Sequence, residues 1–204
     1  MKTTILTIIA LIFMSGFSVA GNEKTIANLK EAFKGESTAS AKYAAFADQA
    51  KKEGLTPIAI LFAAASKAEA IHANNHKTVL EKLGQKVDPV KPDIQVNSTK
   101  ENLENAIKGE SYEVTTMYAG FIETSKAEDV AQASKSFRWA NDTEKKHLKM
   151  YQNALVSLNA KKTSALPMVY WVCPKCGNTF DIAKPEKECS FCGTPNSKYI
   201  KFDK

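Results

Sequence analysis

Two Glu-x-x-His motifs, Glu69/His72 and Glu144/His147, lie 75 residues apart, and each follows a lone glutamate, Glu36 or Glu110. Spacing of i,i+3 puts both side chains of each pair on one helix face. Apolar residues recur around them with helical period: Leu29, Phe33, Tyr43 and Ala47 flank Glu36, and Ile58, Phe62, Ala65, Val79 and Leu83 flank Glu69 and His72. The glutamates therefore sit on stripes that face a core. Burying a lone carboxylate is costly, and several together repel and titrate to neutral unless a cation intervenes. Two divalent metals resolve that conflict. One Glu from each of two helices plus a Glu-x-x-His from each of two others is a di-metal ligand set of four-helix bundles. Glu113 adds a carboxylate on one side only, since its counterpart in the first half is Ala39, so the two metals are expected to be inequivalent. Mixed carboxylate and imidazole donors suit iron or manganese better than a soft metal.

Ala32-Phe33-Lys34-Gly35-Glu36-Ser37 recurs 74 residues later as Ala106-Ile107-Lys108-Gly109-Glu110-Ser111. The chain thus reads as two related helical hairpins facing each other. The first helix runs from near Glu23 to Glu53, before Gly54. The second has Thr56 as N-cap and Pro57 in its first position, and stops at Gly84. Residues 85–97, with Pro89 and Pro92, have no helical period and read as a crossover. Ser98 and Glu101 make a capping box for the third helix, which carries Leu103, Ile107, Val114, Met117 and Phe121. The fourth begins near Asp129 and carries Val130, Phe137, Tyr151, Leu155 and Leu158. The expected fold is an all-α four-helix bundle over residues 21–160. Tyr43, seven residues after Glu36, and Tyr118, eight after Glu110, can turn their phenols toward the metals and orient ligating carboxylates. These are the candidate catalytic residues. His76, one turn beyond His72, reads as a polar or packing residue, and Arg138 and Trp139 carry no site signal.

A second metal module closes the chain. Cys173-Pro174-Lys175-Cys176-Gly177 and Cys189-Ser190-Phe191-Cys192-Gly193 are two C-x-x-C-G knuckles, with twelve residues between Cys176 and Cys189. Each glycine permits the positive φ that a tight knuckle needs. Four thiolates in this arrangement make a tetrahedral site for zinc or a single iron rather than a pair of disulfides. Residues 170–204 are too few for a core of their own, so the metal supplies much of the folding energy. Tyr170, Trp171, Phe180 and Phe191 are expected to pack around it, and residues 161–169 form a linker.

Residues 1–20 read as a secretory signal peptide: Lys2, an apolar run from Ile5 to Met14, then Ser18-Val19-Ala20 as the small residues before the cut. The expected location is periplasmic, the alternative being an uncleaved N-terminal anchor. Without the leader, 27 basic and 22 acidic residues leave a net charge of +5. The lysines fall in scattered pairs, with no basic stripe interleaved with aromatics, which argues against nucleic-acid binding.

Gly35-Glu36 with Tyr43, Glu69-Ala70-Ile71-His72, Gly109-Glu110-Ser111-Tyr112-Glu113 with Met117-Tyr118, Glu144-Lys145-Lys146-His147, and Trp171-Val172-Cys173-Pro174-Lys175-Cys176-Gly177 together resemble rubrerythrin. The match covers essentially the whole mature chain. It implies a ferritin-like di-iron bundle and a rubredoxin-like domain whose four-cysteine iron passes electrons. It also implies reduction of hydrogen peroxide to water in oxidative-stress defence, with one iron shifting between His72 and Glu113 as oxidation state changes. The leader departs from the family's common cytoplasmic setting and leaves the electron donor unassigned. Reach within one subunit is not given by sequence, so an antiparallel homodimer placing one chain's cysteine module beside another's di-iron site is expected. Two rival readings stand beside this one: a ferroxidase or iron-binding protein, and a non-catalytic module with zinc in its ribbon. The extra Glu113 and the attached cysteine module favour turnover.

Overall fold

Segments rich in Ala, Lys, Glu and Leu favour helix, and in the computed structural model, which describes residues 21–203, they form it. The signal-peptide reading of residues 1–20 lies outside the described residues. Helix α1 (Glu23–Lys52) turns back at Gly54, whose φ of +75° is left-handed, into α2 (Thr56–Lys82). Thr56 is not the cap of α2 but its first residue. Leu55 holds the cap position, and Pro57, lacking an N–H, sits in the first turn where that N–H would have no partner.

Residues 85–98 cross over without helix or strand. The expected capping box is present: Ser98 Oγ accepts from the Glu101 amide and the Glu101 carboxylate accepts from the Ser98 amide. Such a cap contributes about 1 kcal/mol. Helix α3 (Thr99–Tyr112) passes into a π-helical turn (Glu113–Met117) and on into α4 (Tyr118–Ala127), so one continuous rod fills the third place in the bundle. The π turn accounts for a discrepancy in the repeat. Glu36 and Glu110 are 74 residues apart, whereas Tyr43 and Tyr118 are 75 apart. The wide turn takes up the extra residue and keeps Tyr118 facing inward. Helix α5 (Ala131–Asn159) starts two residues beyond Asp129, which is left-handed at φ +55°.

Two apolar clusters pack within the bundle. One contains Tyr43, Phe46, Phe62, Leu103 and Tyr151, and the other Leu29, Leu80, Tyr118, Phe121 and Phe137. Rings meet tilted or edge-on, as Phe46 and Phe62 do at 5.4 Å. Each such buried side chain stabilises by roughly 1.5–3 kcal/mol.

The C-terminal module is a three-stranded antiparallel sheet in the order β2-β1-β3, with β1 (Tyr170–Val172) between β2 (Thr179–Phe180) and β3 (Ile200–Phe202). It packs on the side of its own bundle. Tyr170 and Val172 are buried in the first apolar cluster. Asn75 Nδ2 donates to the Lys175 carbonyl at 3.0 Å, Lys146 Nζ to Asn178 Oδ1 at 2.5 Å, and Trp139 Nε1 to the Phe191 carbonyl at 3.2 Å. Trp139, silent in the sequence, is therefore a clasp between bundle and module.

Candidate metal centre

Glu69 and His72 stand one turn apart on α2, Glu144 and His147 one turn apart on α5, with Glu36 on α1 and Glu110 on α3; all six are buried. They form two overlapping groups, Glu36–Glu69–His72–Glu144 and Glu69–Glu110–Glu144–His147, each offering ligand atoms within 4.8 Å of one another. Glu69 and Glu144 belong to both, which is the arrangement of bridging carboxylates. His72 Nδ1 lies 3.0 Å from Glu69 Oε2 and 2.9 Å from Glu144 Oε1, and His147 Nδ1 lies 3.0 Å from Glu69 Oε1 and 2.8 Å from Glu144 Oε2. Yet Glu36 Oε2, Glu69 Oε1, Glu110 Oε2, both Glu144 oxygens and His147 Nδ1 have no hydrogen-bond partner. These donor atoms instead crowd together within each group. Buried polar atoms left in that state call for a ligand, and this donor set fits a pair of cations.

Electrostatics point the same way. Burial pushes the Glu36 and Glu110 carboxyls well above their ordinary range, and Glu144 raises both further. Burial, with Glu144 and Glu69, pushes Glu113 up to about 8. Burial would raise Glu69 too, but His147 and His72 hold it down to about 2. Burial would lower both imidazoles, but Glu69 and Glu144 raise His147 to about 9, and Glu144 and Glu69 hold His72 well above its usual value. Raised carboxyls and imidazoles favour protons in the absence of metal, and metal binding would release them.

Four of the six ligands have an orienting partner outside the donor set. Tyr43 donates to Glu110 Oε1 at 2.7 Å, and Tyr118 donates to Glu36 Oε1. Both phenols thus reach the site as expected, each acting on the glutamate of the opposite half. His72 Nε2 donates to the Cys176 carbonyl at 3.2 Å. His147 Nε2 donates to Thr179 Oγ1 at 2.9 Å, which in turn donates to the Gly177 carbonyl at 3.1 Å. These bonds fix the rings with Nδ1 toward the metals. Gly177, at φ +81°, is required twice over, because a Cβ there would overlap the His72 ring. The contacts through Cys176 and Thr179 have no counterpart in the sequence reading, since no local pattern joins α2 or α5 to a knuckle so distant. The one available signal, Gly177, is already accounted for by the turn.

Glu113 is brought into neither donor group. It sits half-buried on the π turn and lines a surface groove with Lys34, Lys42, Tyr43, Gly109 and Tyr112, while His72 occupies the donor group. His76 is fully buried and is not a ligand; burial pushes it down to about 3, so its ring is neutral.

In the module, Cys173, Cys176, Cys189 and Cys192 form one group of free thiols, with Sγ atoms of Cys173 and Cys192, and of Cys176 and Cys189, 3.5 Å apart. A disulfide needs about 2.05 Å. Four sulfurs about 2.3 Å from a tetrahedral metal are about 3.8 Å from each other, close to what is seen. Gly177 and Gly193 both have the positive φ expected of knuckle glycines.

The rubrerythrin family model matches residues 27–155. Rubrerythrin-2 of Clostridium acetobutylicum is 32% identical over 183 residues, covering 89% of this chain and 98% of its own. Nigerythrin of Nitratidesulfovibrio vulgaris is 31% identical over 181 residues, covering 87% and 86%. The solved structure of fully reduced, all-ferrous nigerythrin aligns with a TM-score of 0.78 at 30% identity, over 87% of this chain and 86% of that one. An open-pore ferritin from Archaeoglobus fulgidus, at TM-score 0.58 and 16% identity over 70% of this chain, shares the fold alone. The ferritin-like bundle and the two donor sets fit a di-iron centre with a rubredoxin-like four-cysteine site. With a family model over most of the bundle and relatives alike along nearly their whole length, the chain belongs to the rubrerythrin family.

Proposed function

We propose that this protein reduces hydrogen peroxide to water at the bundle centre, with electrons arriving one at a time through the four-cysteine site. Each peroxide takes up two electrons and two protons and yields two waters. The observation that carries the reading is the 3.2 Å bond from His72 Nε2 to the Cys176 carbonyl, which joins a ligand residue of one site to a ligand residue of the other within one chain. When bound, a pair of ferrous ions supplies two electrons and Lewis acidity toward the O–O bond.

The chain's own residues do the remainder. Glu69 and Glu144, shared by both donor groups, would hold both ions, and Tyr43 and Tyr118 hold Glu110 and Glu36 in their orientations. Gly35, Ala39 and Gly109 leave the groove beside Glu113 clear, and a substrate as small as peroxide approaches there. The proposed relay runs within one chain, and a homodimer is a separate proposal. The proposed donor is a one-electron carrier outside the cytoplasm, on the reading of residues 1–20 as a leader.

The test is protein with iron in the bundle and zinc in the four-cysteine site. Zinc keeps the module folded but is redox-inert. One round of peroxide-driven oxidation should persist while reductant-driven turnover is lost. Sustained turnover would reject the relay. No response to peroxide with iron in both sites would reject the peroxidase and favour iron oxidation or binding.

A further inference from the structure

The two halves of the bundle are related by the repeat, yet their phenols have different neighbours. Beside Tyr43, which donates to Glu110, Tyr151 packs edge-on at 5.5 Å between ring centroids, and its own hydroxyl has no hydrogen-bond partner. The 75-residue offset places His76 where the other half has Tyr151, and Ser136 where it has Leu61. Beside Tyr118, His76 Nε2 therefore lies 3.2 Å from the phenol oxygen, and His76 Nδ1 lies 2.9 Å from Ser136 Oγ.

The direction of each hydrogen follows. Tyr118 donates to Glu36; with a metal bound, Glu36 would be ionised and could only accept, so the phenol oxygen must accept from elsewhere. His76 Nε2 then carries the hydrogen that Tyr118 accepts. That leaves Nδ1 bare, and Ser136 donates to it. Ser136 in turn lies on the wall of a surface cleft with Lys82, Lys135, Trp139 and Lys175. The other half of the bundle has no equivalent chain, because Leu61 cannot donate and Tyr151 is turned edge-on.

We propose that His76 is a positioning residue: held by Ser136, it commits Tyr118 to donate to Glu36 and so sets the Glu36/His72 metal position apart from the Glu110/His147 position. The proposal rests on reading the bundle as a two-metal centre, and is independent of what substrate that centre meets. It adds a second source of inequivalence, on the core side of α2, to the one-sided carboxylate Glu113.

Two measurements test it. Nitrogen-15 NMR of the zinc-loaded, diamagnetic protein reads the His76 tautomer; Nε2–H is expected, and Nδ1–H would overturn the chain of donors. Anaerobic ferrous titration by calorimetry reads the two bundle affinities separately. His76→Leu should weaken one of them about tenfold and leave the other unchanged, and His76→Gln, whose amide can still donate to Tyr118, should restore it. Equal losses at both positions, no loss, or failure of His76→Gln to restore would overturn the positioning role. Failure of the unaltered protein to take up two ferrous ions would instead overturn the two-metal reading, and the positioning role with it.

Discussion

The bundle and the cysteine module hold their metals by opposite means. In the bundle, six donors stand on helices whose apolar clusters exist without any metal, and burial pushes Glu36 and Glu110 toward their protonated forms. The module has three strands of two or three residues, and its own cluster is built largely from the cysteines themselves. In the bundle, then, metal displaces protons from a formed site. In the module, metal binding is the folding event.

Chelation gives the sharpest test of that contrast. Removing metal should cost the module about 10 kcal/mol of folding free energy, read as loss of Trp171 near-ultraviolet signal, while far-ultraviolet helicity persists. Loss of both signals in one cooperative step would break the comparison. Within the bundle, Glu144→Ala removes a carboxylate shared by both donor groups and should abolish binding of both ions, whereas Glu110→Ala should weaken one. A metal count on each purified variant decides this.

At the seam between the regions, Gly177→Ala should slow reductant-driven turnover by about 10- to 100-fold, because the new Cβ displaces His72 from the Cys176 carbonyl. Unchanged turnover in variant protein that a metal count shows to be loaded at both sites would show that the seam is not the route. Away from both sites, Ser98→Ala removes the cap of α3 and should lower stability by about 1 kcal/mol, seen as a lower urea midpoint with unchanged metal content.

The smallest expected effect is electrostatic. Burial opposes ionisation of Glu53, but hydrogens donated by Gln49 and by the Thr99 amide together outweigh it and hold the group below its usual value of 4.5. Its folded pKa is depressed, so its contribution is present above 4.5 and is lost as pH falls through the folded value. Glu53→Gln should cost under about 1 kcal/mol at neutral pH, given the exposure of the group. Urea midpoints for variant and parent should merge in acid, and a gap that widens there would reverse the assignment.

The bundle was legible because its signals are local or repeated. Helical period, the Ser98/Glu101 cap and the paired Glu-x-x-His motifs each lie within a few residues, and the repeat aligns them. The π turn is written in the same repeat as a change of offset from 74 to 75, but an inserted residue does not announce whether a loop or a wide helical turn absorbs it. Glu113 lies on that turn, and the i,i+3 spacing that marks it as a ligand presumes a regular α-helix. Docking of the module was not legible. Asn75 with Lys175, His72 with Cys176, and Trp139 with Phe191 pair residues 52 to 104 positions apart, through backbone carbonyls that carry no sequence signature. His76 and Ser136 were hidden for a related reason, since their meaning lies in a chain of contacts across helices.

The most direct test of the central claim follows electrons across the seam. Fully reduced protein, with iron in both bundle positions and in the cysteine module, is mixed anaerobically with peroxide, and the thiolate-to-ferric absorption of the module is followed in time. That absorption should appear after oxidation of the bundle, at a rate independent of protein concentration. A rate that rises in proportion to concentration, or a module iron that stays reduced, would contradict transfer within one chain.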